Sequence, residues 1–261
     1  MTQIRAAVTL LVALIMGIFT YYLAVHTTLG QHSEELVRKG VAFNPRGSVF
    51  LNAISLELVL IMLGAACLVA WISGGFLRVL VILGGAGGAM FLSQCIKPVL
   101  PRPNLLQIDV SAAGQLAENS YPSGHVTAVA GISMALIVAV PAAVRGIMSV
   151  LAAITTSVAA AEVVRYGWHR PSDAIGAIML VAVCFAIMFL IFGVRKDGGV
   201  SFIFRLIGRI AIFALFSIAL LLRVWLFIDS NNDGLFLSFG VLFSAGCAFW
   251  CAQQIQRLSR G

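Results

Sequence analysis

Charged side chains are scarce in this chain of 261 residues. Only 10% of the residues are Asp, Glu, Lys or Arg, whereas a soluble domain carries about 25%. Hydrophobic residues make up 61% of the sequence, and the mean hydropathy is +1.02. Because a soluble core of this size does not need so much apolar side chain, the composition excludes an ordinary soluble domain and indicates an integral membrane protein.

Metal-ligand patterns and basic clusters are missing as well. The five cysteines lie in or beside apolar runs without the spacing of metal ligands, so they are interpreted as packing residues. The net charge of +7 is spread over the ends of the apolar segments, which fits membrane topology better than nucleic-acid binding. We therefore expect no metal, no cofactor and no nucleic-acid partner, and the sequence leaves the oligomeric state open.

Long apolar segments recur along the whole chain. A helix that crosses the hydrocarbon layer of a bilayer needs about 20 apolar residues. Eight segments meet this requirement, namely residues 6–26, 50–72, 76–96, 125–144, 147–164, 172–194, 206–228 and 235–253. The predicted fold is all-α, a polytopic bundle of eight transmembrane helices that forms one membrane domain over residues 1–261. The glycine cluster at 84–88 predicts that another helix approaches the third span closely.

Lysine and arginine are unevenly divided between the two sides of this bundle. The loops on the N-terminal side carry more of them than the opposite loops, once the cations of the polar segments described below are set aside. By the positive-inside rule, both termini are predicted to be cytoplasmic. The few cysteines on the outer face and the absence of an organelle signal favour a bacterial plasma membrane.

Three polar segments fall on the outer face in this topology, at residues 97–103, 121–125 and 165–173. These segments contain most of the polar side chains of the chain that can take part in a reaction. Since polar groups at membrane depth are costly, this concentration indicates a functional site. A fourth polar stretch, residues 27–48, fits either a short amphipathic helix that covers this site or a solvated loop.

Two histidines and a carboxylate suggest the chemistry of the site. His169 and Asp173 are four residues apart, so on a helix their side chains face each other. A carboxylate in this position holds one imidazole nitrogen as N–H and leaves the other nitrogen free as a nucleophile. His125 offers a second imidazole, which can act as a general acid towards a leaving oxygen.

The same segments offer groups that bind an anion. Lys97, Arg102 and Arg165 supply positive charge, and the planar fork of arginine matches phosphate oxygens. Ser123 and Gly124, beside the start of a predicted helix, offer a hydroxyl and backbone N–H groups. A nucleophile, an acid and several cations describe phosphoryl transfer without a metal.

These motifs, in this order, resemble the type-2 phosphatidic-acid phosphatase superfamily, whose membrane members are six-helix lipid phosphatases and phosphotransferases. The family signature consists of Lys-x6-Arg-Pro, then Pro-Ser-Gly-His, then Ser-Arg-x5-His-x3-Asp. Residues 122–125 match the middle part in full, and His169 with Asp173 matches the end of the third part. The resemblance covers roughly residues 50–194. It implies that this region is part of a phosphatase core, that 1–49 holds the first span and an outer interfacial segment, and that 195–261 adds two spans.

The resemblance also implies a role for each residue of the site. His169 is the nucleophile that forms a phosphohistidine, Asp173 orients it, and His125 protonates the leaving group. The implied phosphate-binding residues are Lys97, Arg102, Ser123, Gly124 and Arg165.

The chain departs from the signature in its cation spacing. Lys97 and Arg102 are separated by four residues instead of six, and Arg165 and His169 by three instead of five. Val164 stands where the family usually has serine. The shortened third motif places Arg165, His169 and Asp173 at four-residue intervals, a spacing that fits one helical face.

Each motif alone also has an ordinary structural explanation. Residues 122–125 fit a turn with an N-cap serine, and His169 with Asp173 fits a hydrogen bond at a helix start. Lys97 fits a lysine at the membrane border whose amine reaches water. Their joint occurrence in order on one predicted face favours the functional interpretation.

The sequence therefore predicts a metal-independent lipid phosphatase in the bilayer. Its predicted substrate is a phosphomonoester or diphosphate of a lipid, either phosphatidate-type or polyprenyl, cleaved at the non-cytoplasmic face. One alternative is a lipid phosphotransferase, in which an alcohol or another phosphate resolves the phosphohistidine. The other is a non-catalytic lipid-binding or transport protein with a degenerate site.

Overall fold

The computed structural model describes residues 2–41, 47–107, 120–193, 202–226 and 233–259, and within these ranges it has helices and no strand. The helices are α1 (Thr2–His26), α2 (Thr28–Lys39), α3 (Val49–Asn52), α4 (Leu56–Gly74), α5 (Phe76–Ile82), α6 (Gly88–Ile96), α7 (Gly124–Ala139), α8 (Arg145–Arg165), α9 (Pro171–Phe192), α10 (Phe202–Trp225) and α11 (Asp233–Leu258). A π-helical turn, Leu83–Gly87, joins α5 to α6 in one continuous rod. The predicted all-α class is confirmed.

Among the described residues, seven helical segments are long and apolar enough to cross a membrane. They are Gln3–His26, Leu56–Gly74, Phe76–Ile96, Arg145–Arg165, Pro171–Phe192, Ile203–Trp225 and Gly234–Leu258. The remaining predicted span corresponds to α7, which is apolar but has only 16 residues. The outer helices carry exposed large apolar side chains such as Ile72 and Phe213, each 76% exposed, as expected of surfaces that face lipid. The chain is thus a transmembrane protein.

Helices α7 and α9 form the centre of the bundle, and most of their side chains are buried. The predicted close approach at the glycine cluster is present: a Cβ on Gly85 would lie 2.5 Å from the ring of Phe185 on α9. Gly84 lies against Met188 in the same way, whereas Gly87 faces open space. Only part of the cluster therefore serves helix packing.

The bundle has two distinct ends. At one end the fully buried Arg145 donates to the carbonyl oxygens of Val140 at 3.1 Å and Ser259 at 2.7 Å, which ties the end of α7 to the end of α11. The other end gathers the starts of α7 and α9 and the short helix α2. Of the two alternatives for residues 27–48, the short amphipathic helix is present as α2, with Gln31, Glu34 and Val37 buried on one face; residues 42–46 lie outside the described ranges.

Candidate active site

His169 and Asp173 meet at the start of α9. Pro171 occupies the first turn of this helix, where its missing N–H costs nothing. Asp173, two residues further on, is completely buried and accepts the backbone N–H of Arg170 at 3.1 Å. The same oxygen, Oδ2, lies 3.3 Å from Nδ1 of His169. The predicted contact between the imidazole and the carboxylate is present, and Nε2 of His169 makes no hydrogen bond within the part of the chain that the structure describes.

Arg102 faces the other oxygen of this carboxylate, Oδ1. Its Nη2 is 3.6 Å from Oδ1 of Asp173 and donates to the Ser172 hydroxyl at 3.2 Å. Its Nη1 is 2.6 Å from Oε2 of Glu34. Burial lowers the pKa of Arg102, but the carboxylates of Glu34 and Asp173 more than offset this and raise it above the ordinary value. The guanidinium therefore contacts two carboxylates, and the Arg102 side chain is only 8% exposed.

Helix α2 supplies Glu34, a residue that sequence reasoning did not place in the site. Besides its ion pair with Arg102, Glu34 accepts the backbone N–H of Ser172 at 3.1 Å. Gln31, on the same face of α2, donates to the carbonyl of Pro103 and accepts the N–H of Leu105 at 3.2 Å. The sequence carried no signal for this contact, because the amphipathic pattern of a helix places polar residues such as Gln31 and Glu34 towards solvent.

The second motif begins α7 and touches α9. Ser123 is the N-cap of α7 and is fully buried; its hydroxyl accepts the N–H of Val126 at 3.4 Å. Its own N–H donates to the carbonyl of Asp173 at 3.0 Å, which joins the starts of the two helices. A Cβ on Gly124 would lie 3.4 Å from Nζ of Lys97, so the lysine at the end of α6 reaches this helix start.

His125 lies beside the other catalytic candidates. Its ring packs edge-on against Trp168, with 5.2 Å between the ring centroids. His125 also interacts electrostatically with His169 and Lys97. The two imidazoles and the lysine are therefore near enough to act on one another.

Arg165 is placed differently from the expectation of one helical face. Helix α8 ends at Arg165, and the chain then turns through Gly167, which has a φ of +70°. Arg165, His169 and Asp173 therefore do not lie on one helix, and that interpretation of their spacing is wrong. Arg165 is exposed and makes no hydrogen bond or ion pair with other described residues.

Arg170 is a further cation at the site that the sequence did not single out, although it lies within the third motif. Its Nη1 donates to the hydroxyl of Ser120 at 3.4 Å, and its backbone N–H binds Asp173. Burial and the neighbouring Arg102 lower the pKa of Arg170. In the part of the chain that the structure describes, no three His, Cys, Asp or Glu side chains are grouped so as to hold a metal ion.

The helices and the site define a membrane protein whose polar centre is built from histidines, a carboxylate and cations. A family model described as the PAP2 superfamily matches residues 56–197, more than half of the chain. The chain therefore belongs to the PAP2 superfamily, which generally comprises phosphatases, and it is a transmembrane hydrolase of the phosphatase type. No curated protein and no solved structure matches the chain.

Proposed function

We propose that this protein is a metal-independent lipid phosphatase that works through a phosphohistidine on His169. The observation that carries the proposal is the contact of 3.3 Å between Nδ1 of His169 and the buried Asp173. This contact fixes Nδ1 as the N–H and directs Nε2 towards the substrate. The second imidazole and Lys97 lie on the same site, where an acid and a cation are needed.

The reaction proceeds in two displacements. Nε2 of His169 attacks phosphorus, and the bond from phosphorus to the lipid oxygen breaks while His125 donates a proton to that oxygen. Water then attacks the phosphohistidine, His125 takes its proton, and inorganic phosphate leaves with His169 restored. Asp173 stabilises the positive charge that the imidazole of His169 carries between the two steps.

Cations and backbone N–H groups stabilise the phosphate oxygens. Lys97 acts electrostatically on His125 and reaches the start of α7, where Ser123 and Gly124 directly precede His125. Arg165 remains a predicted phosphate ligand, four residues before His169 on an exposed helix end. Arg102, also a predicted phosphate ligand, instead contacts Asp173, which supports a role in orienting the carboxylate.

An apolar cavity beside the site supports a lipid substrate. It has a volume of about 360 Å³ and lies between α1 and α9, with Leu14, Gly17 and Met179 in its walls. Tyr121 and Pro122, which line the same cavity, directly precede Ser123 of the site. An acyl or isoprenyl chain in this cavity would keep its phosphate at the catalytic histidines. Both phosphatidate-type and polyprenyl phosphates or diphosphates fit this description.

The topology follows from the charge bias of the loops. With both termini in the cytoplasm, the end of the bundle that holds Ser259 faces the cytoplasm, and the site at the opposite end faces outside. We also propose a bacterial plasma membrane as its location, because few cysteines lie on the outer face. We further treat residues 1–261 as one membrane domain, in which α10 and α11 are additions to a six-helix core.

The test is phosphate release by the purified protein in detergent from a panel of lipid phosphates, with His169→Ala beside it. Release from one lipid class that His169→Ala abolishes supports the proposal and names the substrate. Loss of activity in a chelator would contradict a metal-independent reaction. Folded protein that releases no phosphate from any lipid would redirect the assignment to a phosphotransferase with an absent acceptor, or to a lipid-binding protein.

A further inference from the structure

The two C-terminal membrane helices enclose a groove that the proposed reaction does not use. Helices α10 and α11 run in opposite directions: Gln253 donates to the carbonyl of Arg205 at 3.1 Å, and Gly246 lies against the ring of Phe216. Between them is a groove of about 540 Å³. Its lining residues on α10 recur every three or four positions from Arg209 to Leu220, so they form one continuous stripe along the helix.

The groove is separate from the candidate active site. Helix α11 packs against Pro171, at the start of α9, through Gly240. Arg257, which lines the groove, lies in the last turn of the same helix. At 1.5 Å per residue, about 25 Å of helix separates Gly240 from Arg257. A ligand near Arg257 therefore binds at the opposite end of the bundle from the histidines.

One end of the groove is cationic. Arg209 and Arg257 both line it, together with the amides of Gln253 and Gln254. The charged groups that act on Arg257 are Arg209 and Arg5, and among the described residues no carboxylate pairs with Arg209 or Arg257. Arg209 lies about 10 Å along α10 from its first residue, which is deep for a guanidinium in an apolar helix. Two cations that line one groove and repel each other favour a bound anion between them.

The rest of the groove is apolar and open to the bilayer. Phe213 is 76% exposed and Leu220 is 64% exposed, and both lie on the stripe that begins at Arg209. Trp250 of α11 lines the same stretch. The groove is therefore cationic at one end and apolar along the rest. A phospholipid has the matching arrangement, with a phosphate in its headgroup and an apolar acyl chain attached to it.

We propose that this α10–α11 groove binds an anionic phospholipid, with the headgroup phosphate between Arg209 and Arg257 and one acyl chain against Phe213 and Leu220. A zwitterionic headgroup would bring its own cation close to the arginines and would bind less well. A free phosphate ion would use the cationic end alone and would gain nothing from the apolar wall. The groove therefore selects a lipid that is both negatively charged and attached to a chain.

The test is native mass spectrometry of the full chain released from micelles that contain equal amounts of phosphatidylglycerol and phosphatidylcholine. We expect the wild-type protein to retain phosphatidylglycerol preferentially. Arg209→Gln and Arg257→Gln are each expected to weaken this binding about fivefold, the usual contribution of one cation near a membrane surface. Lys39→Gln removes an exposed lysine at the other end of the bundle and is expected to leave the binding unchanged.

Three results would overturn the proposal. They are equal retention of the two lipids by the wild-type protein, unchanged retention in both arginine variants, and complete displacement of the lipid by millimolar inorganic phosphate. Arg209→Lys keeps the charge and is expected to keep the lipid, so a loss confined to the Gln variant assigns the effect to charge and not to misfolding. Because bound lipid is the readout, the outcome does not depend on the phosphatase activity proposed above.

Discussion

Glu34 and Arg102 form a buried ion pair between helix α2 and the loop after α6, with 2.6 Å between Oε2 and Nη1. The second carboxylate oxygen of Glu34 binds the N–H of Ser172, and the second terminal nitrogen of Arg102 faces Asp173. Each of these contacts orients the first turn of α9, which carries the carboxylate that holds His169. In the mechanism that we propose, Glu34 thus acts on His169 through Arg102 and Asp173, as a positioning residue.

We expect Glu34→Gln to lower kcat for lipid phosphate hydrolysis by about tenfold, with little change in KM. The amide keeps the shape of the side chain but removes one of the two carboxylates that Arg102 contacts in a buried place, which is costly. Arg102 then interacts more strongly with Oδ1 of Asp173 and draws that carboxylate away from His169. Steady-state kinetics in detergent measure the two constants separately.

The matched control is Glu35→Gln, which removes the neighbouring carboxylate that pairs with Arg38 on the outer side of α2. This variant is expected to change kcat less than twofold, because the ion pair of Glu35 with Arg38 lies within α2 and Glu35 is not among the charged groups that act on Arg102 or Asp173. The double variant Glu34→Gln with Arg102→Gln is expected to lose less than the product of the two single losses, because both act on one network. Independent effects in this cycle would show that Glu34 does not act through Arg102.

Sequence reasoning located the histidines and Asp173 because helical spacing and motif order constrain them. Pro171 marks a helix start, and a carboxylate at the third position of that helix meets the residue just before it. Ser123 likewise marks the start of α7, because serine is a preferred N-cap residue. These are local relationships, and the structure has them where the sequence places them.

The surroundings of Arg102 and Arg165 depend on contacts that are distant in sequence. Glu34 reaches Arg102 only because α2 folds back over the end of the bundle, a contact between residues 68 positions apart. The proline-rich segment around Arg102 has no helical period that would fix the direction of its side chain. For Arg165, the spacing of four residues to His169 predicts a shared face only if the helix continues between them. The left-handed φ of Gly167 interrupts the helix there.

We expect Asp173→Asn to fold normally and to lower turnover by about 10³ to 10⁴, as for other carboxylates that orient a catalytic histidine. The amide retains an acceptor oxygen for the N–H of Arg170, so the start of α9 is preserved. It no longer stabilises the charged imidazole, because the amide is neutral although its oxygen still faces both the N–H of Arg170 and Nδ1 of His169. Rapid-quench measurement of the acid-labile phosphohistidine checks the first step directly, and phosphorylation at the wild-type rate would remove Asp173 from the mechanism.

We expect His125→Gln to slow the hydrolysis of a lipid phosphate by about 10² to 10⁴, the range for loss of a general acid. The alkoxide of a lipid alcohol needs a proton as it leaves, whereas the phenolate of an aryl phosphate such as p-nitrophenyl phosphate does not. Formation of the phosphohistidine from the aryl substrate is therefore expected to fall much less. An equal fall for both substrates would contradict the role of His125 as the acid.

The cavity between α1 and α9 gives a test of the lipid tail. Leu14 of α1 lines this cavity and is 40% exposed, so a larger side chain can enter it without a severe clash. We expect Leu14→Trp to raise KM for a long-chain lipid phosphate about tenfold, because the indole occupies space that the chain needs, and to leave hydrolysis of p-nitrophenyl phosphate unchanged. Leu11→Trp, about one turn away on the same helix and not among the lining residues of the cavity, is the matched control and is expected to behave as the wild type. Equal KM values for the lipid in the two variants would show that the tail binds elsewhere, whereas loss of the aryl activity in Leu14→Trp would point to damage of the site itself.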